Sequence, residues 1–107
     1  MSMKAERRGL LKNYIKDMRG YLRITATALD SEITDIINAA REDLILGGVH
    51  PDHAFSEDDA LIKRAIGTYL KAEFGLDNAD SEKYRAAYTD LKNRLTLSDD
   101  YTKSKEA

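Results

Sequence analysis

Leu29-Asp30-Ser31-Glu32-Ile33-Thr34-Asp35-Ile36-Ile37-Asn38-Ala39-Ala40-Arg41-Glu42-Asp43-Leu44, residues 29–44, is the stretch whose reading decides the fold class. Leu29, Ile33, Ile36, Ile37, Ala40 and Leu44 recur at three- and four-residue steps. That spacing gathers them on one face of an α-helix and sets the acids and Arg41 opposite. Thr27 is a candidate N-cap with Asp30 three residues on, and Gly47-Gly48 supplies a left-handed stop. The pattern therefore predicts a helix over about 28–46.

The same period extends outward in both directions. Upstream, Leu10, Leu11, Tyr14, Ile15, Met18 and Leu22 form an apolar stripe. Gly9 and Gly20 each weaken it by roughly 1 kcal/mol relative to alanine, which predicts a break near Gly20. Downstream, Val49-His50-Pro51-Asp52-His53-Ala54-Phe55 must turn, because proline fixes its own backbone and pushes His50 out of helical geometry. Ser56 opens a Ser-x-x-Asp cap, with Glu57-Asp58-Asp59 suited to a helix N-terminus. Leu61, Ile62, Ala65, Ile66, Tyr69, Leu70 and Phe74 continue the stripe to Gly75. After the polar turn Asp77-Asn78-Ala79-Asp80, Ser81 opens a last helix with Tyr84, Ala87, Tyr88, Leu91 and Leu95 on its apolar face. From Ser98 onward the periodicity ends. The expected fold is all-α: a small bundle of about four helices over residues 1–97, with a flexible C-terminal tail over 98–107 whose deletion leaves the bundle's stability nearly unchanged.

Composition narrows the class further. A chain of 107 residues has room for one core and no second domain. With no cysteine it builds neither a disulfide scaffold nor a thiolate zinc site, which fits a reducing compartment. No stretch approaches the roughly 20 apolar residues of a membrane span, and no signal-peptide core follows the N-terminus. Synthesis in the cytoplasm and no membrane partner are the expectation. The formal charge of -2 hides a split. Residues 1–25 carry Lys4, Arg7, Arg8, Lys12, Lys16, Arg19 and Arg23 against Glu6 and Asp17, whereas residues 26–62 carry Arg41 alone against nine acids. Two solvated faces neutralising each other within one molecule is one reading; a polar subunit whose basic end meets a neighbour's acidic side is the other.

Catalytic chemistry finds little support. His50 and His53, with Asp52, Asp58 and Asp59 nearby, are the best metal candidates, yet they lie on a proline loop without the i, i+4 spacing of helical histidine ligands. A solvated polar turn is the expected state there. Ser31, Ser56 and Ser81 read as caps, and the acids sit on faces or caps rather than in a pocket that separates their pKa values. No enzyme activity, cofactor or metal is expected. The stripe Arg7, Arg8, Lys12, Lys16, Arg19 and Arg23 supports an alternative, a small helical regulatory module that binds nucleic acid or protein. A pI near 5.7 and the lack of a helix-turn-helix argue against dedicated DNA reading. Tyr101 has no helical stripe to join, so it is either an anchor for a partner groove or a ring folded back on its own bundle. The candidate partner contacts are Arg7, Arg8 and Lys12 near one end of the chain and Asp99, Asp100, Tyr101 and Lys103 near the other.

The ordered set of segments resembles a family. Gly20-Tyr21-Leu22-Arg23-Ile24-Thr25, then Ile37-Asn38-Ala39-Ala40-Arg41-Glu42-Asp43-Leu44, is similar to the opening of the small head-tail connector (adaptor) proteins of long-tailed bacteriophages and prophages, also described as phage DNA-packaging proteins. Leu61-Ile62-Lys63-Arg64-Ala65-Ile66, Tyr69-Leu70-Lys71-Ala72-Glu73-Phe74-Gly75, Ser81-Glu82-Lys83-Tyr84, Tyr88-Thr89-Asp90-Leu91-Lys92 and Leu97-Ser98-Asp99-Asp100-Tyr101 continue it in order, over about residues 15–101. The resemblance implies a structural subunit without an active site that forms a ring, typically of twelve, beneath the portal protein. Such a ring extends the DNA channel, lies close to packaged DNA without specific contacts, and presents a surface to a stopper or tail-completion protein. The implied location is the host cytoplasm during synthesis and the virion neck after assembly, with chain ends that reorganise when ring meets portal.

Overall fold

The computed structural model describes residues 12–74 and 79–106. Four long helices carry the fold: α1 (Lys12–Leu22), α2 (Asp30–Gly47), α4 (Ala60–Glu73) and α5 (Ser81–Thr96). Two single turns, α3 (Pro51–Ala54) and α6 (Asp99–Thr102), complete it, and the described residues contain no strand. The bundle is all-α, as the periodicity predicts. α4 is the central helix and packs against α5, α2 and α1. Its Ile62, Ala65, Ile66 and Leu70 meet Ile33, Ile37, Ala40 and Leu44 of α2, Tyr14, Ile15 and Met18 of α1, and Tyr88 and Leu95 of α5 in one buried core. Each fully buried Ile or Leu contributes about 1.5–3 kcal/mol, so this seam outweighs any cap or surface pair. Leu10 and Leu11 lie outside the described residues.

The helix ends differ from the expectation in three places, each for a local reason. α1 runs through Gly20 and stops at Leu22, where the Arg23 and Ile24 N–H groups donate to the Gly20 and Arg19 carbonyls. That pair of reversed bonds is a Schellman stop, and it forces Arg23 to a φ of 59°, a conformation that disfavours every residue with a Cβ. The same stop closes α2, with Gly48 at φ 122° and Val49 buried over Leu44, so the sequence reading holds there. Thr27 does not cap α2: Leu29 occupies the N-cap and makes no side-chain bond. Ser56 is not the cap of α4 either. Its N–H closes the turn after α3, and Asp59 Oδ1 accepts from the Leu61 and Ile62 N–H groups instead, at 2.9 and 3.0 Å.

The largest correction concerns Arg41. Placed opposite the apolar stripe by its chemistry, it is 1% exposed and the largest fully buried side chain described. Its guanidinium lies 5.6 Å from the Tyr14 ring centroid and 5.2 Å from that of Phe55, pairs with Glu57 at 3.6 Å, and donates to Asn38 Oδ1 at 3.4 Å. α1, α2 and the 55–57 connection thus close around one cation, with two aromatic faces replacing much of its hydration. Arg41 Nε and the Tyr14 hydroxyl are buried without a hydrogen-bond partner among the described residues.

Close approach elsewhere requires glycine. A methyl group on Gly67 of α4 would lie 2.6 Å from the Tyr21 ring, so only glycine lets α1 lay that ring flat on α4. On the other side of α4, Tyr69 and Tyr88 meet edge to face at 4.9 Å. The Tyr88 hydroxyl donates to Asp43, which Lys92 also reaches at 3.0 Å. Burial alone raises the Asp43 carboxyl, but the bonds from Tyr88 and Lys92 and the lysine charge outweigh it and hold the carboxyl below its ordinary value.

Two tests follow from this core. Removing the buried side chain opens a cavity and forfeits its contacts with the facing rings, so Arg41→Ala is expected to cost about 2–5 kcal/mol in chemical denaturation at neutral pH. Arg41→Met, which keeps the volume and the ring contacts, is expected to cost far less. The second test is alkaline. Burial pushes the Tyr14 phenol up to about 12, the nearby Arg41 charge pulling weakly the other way. Burial, then the hydrogen bond to Asp43 and its charge, push Tyr88 up as well. The folded chain keeps these phenols neutral where the unfolded chain ionises them. Their contribution is full below pH 10 and is lost as the pH rises towards 12. Tyr14→Phe is expected to flatten that decline by roughly 2–3 kcal/mol and to leave stability at pH 7 equal or higher, since the unpartnered hydroxyl is gone.

Candidate functional site

The residues singled out as partner contacts divide in the structure. Arg7 and Arg8 lie outside the described residues, and Lys12 is described only as the first residue of α1. Asp99, Asp100, Tyr101 and Lys103 come together where residues 98–106 turn back over the bundle.

That return is built residue by residue. Ser98 adopts extended backbone and its hydroxyl accepts from the Asp100 N–H, starting the single turn α6. The turn directs Tyr101 inward. Its carbonyl accepts from the His50 N–H at 2.9 Å, and its hydroxyl donates to Asp59 Oδ1 at 3.2 Å, the same oxygen that caps α4. Its ring meets the His53 ring edge-on at 5.4 Å. Burial, then the bond to Asp59 and its charge, raise the Tyr101 phenol above its ordinary value. Two residues on, the Lys103 carbonyl lies 2.8 Å from His53 Nε2. A carbonyl only accepts, so Nε2 carries the proton and donates. The Lys105 N–H then donates to Asp52 Oδ2 at 3.1 Å.

His50-Pro51-Asp52-His53 is therefore the dock for the chain's own C-terminal segment. Pro51 stands at the first position of α3, where a missing N–H costs nothing, and His50 Nδ1 accepts from the Asp52 N–H to cap it. The expected solvated turn is a short helix with Val49, His53 and Ala54 buried. Both histidines spend ring nitrogens on structural bonds, and no group of three or more metal-ligating side chains occurs among the described residues. The segment expected to be a free tail makes backbone and side-chain bonds to four separate residues, His50, Asp52, His53 and Asp59, because the alternative leaves the His50 N–H and His53 Nε2 without partners in a half-buried site.

Tyr101 thus folds back on its own bundle and is half-buried. Asp99, Asp100 and Lys103 face outward, with side chains of Asp99 and Lys103 84% and 63% exposed. Their mutual pair at 3.7 Å has little strength in water. They rim a shallow cavity of about 460 Å³ together with His53, Ser104 and Lys105. The lining thus sets exposed charged and polar groups around the buried His53 ring.

The charge split is partly closed within the molecule. Arg19 of the basic segment grips Asp30 of the acidic one through two nitrogens, at 2.9 and 3.4 Å. Lys16 on α1 and Arg23 just after it remain exposed, as do Glu32, Asp35 and Glu42 on α2. No described helix is long and apolar enough to cross a membrane. Sequence reasoning missed the dock because its signal, two histidines around Asp52, was tested only as a metal motif. The signal that exposes it is the aromatic at 101, which needed a partner.

A family model described as "Phage connector protein" matches residues 14–102, from the first buried tyrosine of α1 to the end of α6. Comparison with curated proteins and with solved structures gives no match.

Tyr101→Ala removes the ring that fixes the returning segment while leaving the Asp59 cap of α4 intact. Amide exchange at Lys105 and His50 is expected to accelerate by an order of magnitude or more, with amides of α4 unchanged, as measured by hydrogen exchange with mass-spectrometric or NMR detection.

Proposed function

The chain belongs to the phage connector protein family, and from that premise we propose that it is a structural head-completion adaptor. Copies form a ring, of twelve by resemblance, under the portal protein; the ring prolongs the DNA channel and receives a stopper or tail-completion protein on its far side. The family match over residues 14–102 of an all-α bundle is the observation that carries this reading. Its work is mechanical, with no reaction catalysed and no cofactor, and its place is the neck of the virion after synthesis in the host cytoplasm.

The geometry of the C-terminal return supports a mechanism. Residues 1–97 form the connector domain, and residues 98–107 are the segment that leaves its dock on meeting the portal. Few bonds hold it, and each has an equivalent that a partner can supply: a carbonyl for His53, an N–H for Asp52, an acceptor for the Tyr101 hydroxyl. A segment that must let go of its own bundle before it binds elsewhere lowers affinity in solution and holds assembly back until a template is present. The DNA-binding alternative loses ground, since Arg19, central to its basic stripe, is committed to Asp30.

The purified chain mixed with the portal protein of the same phage is expected to give discrete rings by native mass spectrometry or electron microscopy; no complex at any stoichiometry overturns the reading. A chain ending at Leu97 is expected to fold cooperatively, to melt a few degrees lower because the Tyr101 contacts are lost, and to dock on the portal at least tenfold more weakly. Docking at full strength without the segment removes its proposed role.

A further inference from the structure

The described surface carries two features that neither the core nor the C-terminal return uses, and they lie at opposite ends of α5. At its C-terminal end, Leu97 is 86% exposed, and Leu46 at the end of α2 is 85% exposed. The two helix ends meet there: a methyl on Gly47 would come within 2.7 Å of Lys92 and 3.3 Å of Thr96. No other large hydrophobics described are exposed to that degree. Among exposed charges near the two leucines along the chain, the acids Glu42, Asp99 and Asp100 outnumber the bases Arg94 and Lys103.

The second feature is a cleft of about 490 Å³ where the end of α1, the end of α4 and the start of α5 meet, lined by Tyr21, Leu22, Phe74 and Tyr84. Arg23 and Lys71 line it as well, with Asp80 the one acid among the described lining residues. The Lys71 ammonium lies 5.1 Å from the Tyr84 ring centroid and 6.0 Å from that of Tyr21, so cation and aromatics share one wall. Arg23 reaches the cleft from the positive-φ position that closes α1. Tyr84 and Leu97 are thirteen positions apart, about 20 Å along the helix axis.

We propose that the Leu46/Leu97 end of one copy inserts into the Tyr21/Phe74/Tyr84 cleft of the next, head to tail. The match is of apolar surface and charge: two exposed leucines with an excess of acids near them in the chain meet an aromatic-lined cleft with two bases against one acid among its described lining residues. Because the two patches differ and lie at opposite ends of one helix, each copy keeps one of each free. Association then propagates in one direction, as ring closure requires. The inference deepens the ring reading and rests on it, by assigning the surface through which neighbours touch.

The chain has no cysteine of its own, so introduced thiols report without background. Tyr84→Cys/Leu97→Cys in the full chain, oxidised at about 1 mM where even a millimolar contact is half occupied, is expected to give a ladder of dimers, trimers and higher species. Either single variant alone is expected to stay monomeric, and mixing the two to give dimers only. A Leu97→Cys homodimer, a double variant that stops at dimers, or no linkage overturns the inference. As a second measure, Leu46→Asp/Leu97→Asp, at two exposed positions, is expected to melt with the unmodified chain while losing self-association at least tenfold in sedimentation. Full association in that variant also overturns it. Rings of the unmodified chain on the portal without a cysteine ladder sink this surface and leave the ring reading standing; a ladder without portal rings does the reverse.

Discussion

One buried cation sets the geometry on which the rest of the bundle depends. Arg41 sits among Tyr14 of α1, Asn38 of its own α2, and Phe55 and Glu57 of the connection before α4. A guanidinium taken out of water is costly unless its charge and donors are met, so the partners cannot slide independently. Tyr14 fixes the azimuth of α1 on α2. Phe55 and Glu57 fix the path of the chain after α3. With that path set, Asp59 arrives where it caps α4 and offers the same oxygen to Tyr101. A charge in the core thereby specifies where the C-terminal segment docks, although the two have no direct contact.

The dock shows how a turn signal acquires a second use. Proline at residue 51 is enough to explain why the chain turns, and a polar turn would satisfy it. The structure instead winds the next residues into a single helical turn, which aims His53 inward and leaves Asp52 at the rim. Three residues around Pro51, 50, 52 and 53, then present a donor, an acceptor and a donor to residues 101, 105 and 103. Backbone atoms of the returning segment supply all three answering groups. The recognition tolerates sequence variation in the segment except at the tyrosine, whose ring and hydroxyl are used as such.

The helices and their apolar faces were legible because burial imposes a period that composition cannot hide. Ile33, Ile37, Ala40 and Leu44 are buried as their spacing requires, and Gly48 stops α2 as its lack of a Cβ permits. Arg41 was misplaced although its position was informative. It follows Ala40 by one residue and Ile37 by four, on the edge of the buried stripe, and only its charge argued for the solvent side. The stop at Arg23 was hidden for the opposite reason: the motif that normally takes glycine is closed by a residue that pays conformational strain to be there. The C-terminal segment was illegible because its contacts span about 50 residues of sequence and run through backbone atoms, which leave no periodic trace.

The charge distribution acquires its meaning from the same geometry. Counted along the chain, it divides into a basic beginning and an acidic middle. Folding brings the two together, and Arg19 with Asp30 settles part of the account inside one molecule. What folding leaves exposed is no longer a property of segments. Glu42 on α2 and Asp99 and Asp100 on α6 lie near Leu46 and Leu97 in the chain, whereas Glu32 and Asp35 lie at the opposite end of α2 and Arg23 and Lys71 line the cleft. A chain with net charge near zero can in this way keep unlike local charges along the axis of α5. Such an axis gives identical subunits a preferred order of approach at long range, while the leucines and aromatics, uncharged and short-ranged, decide how closely they fit on arrival.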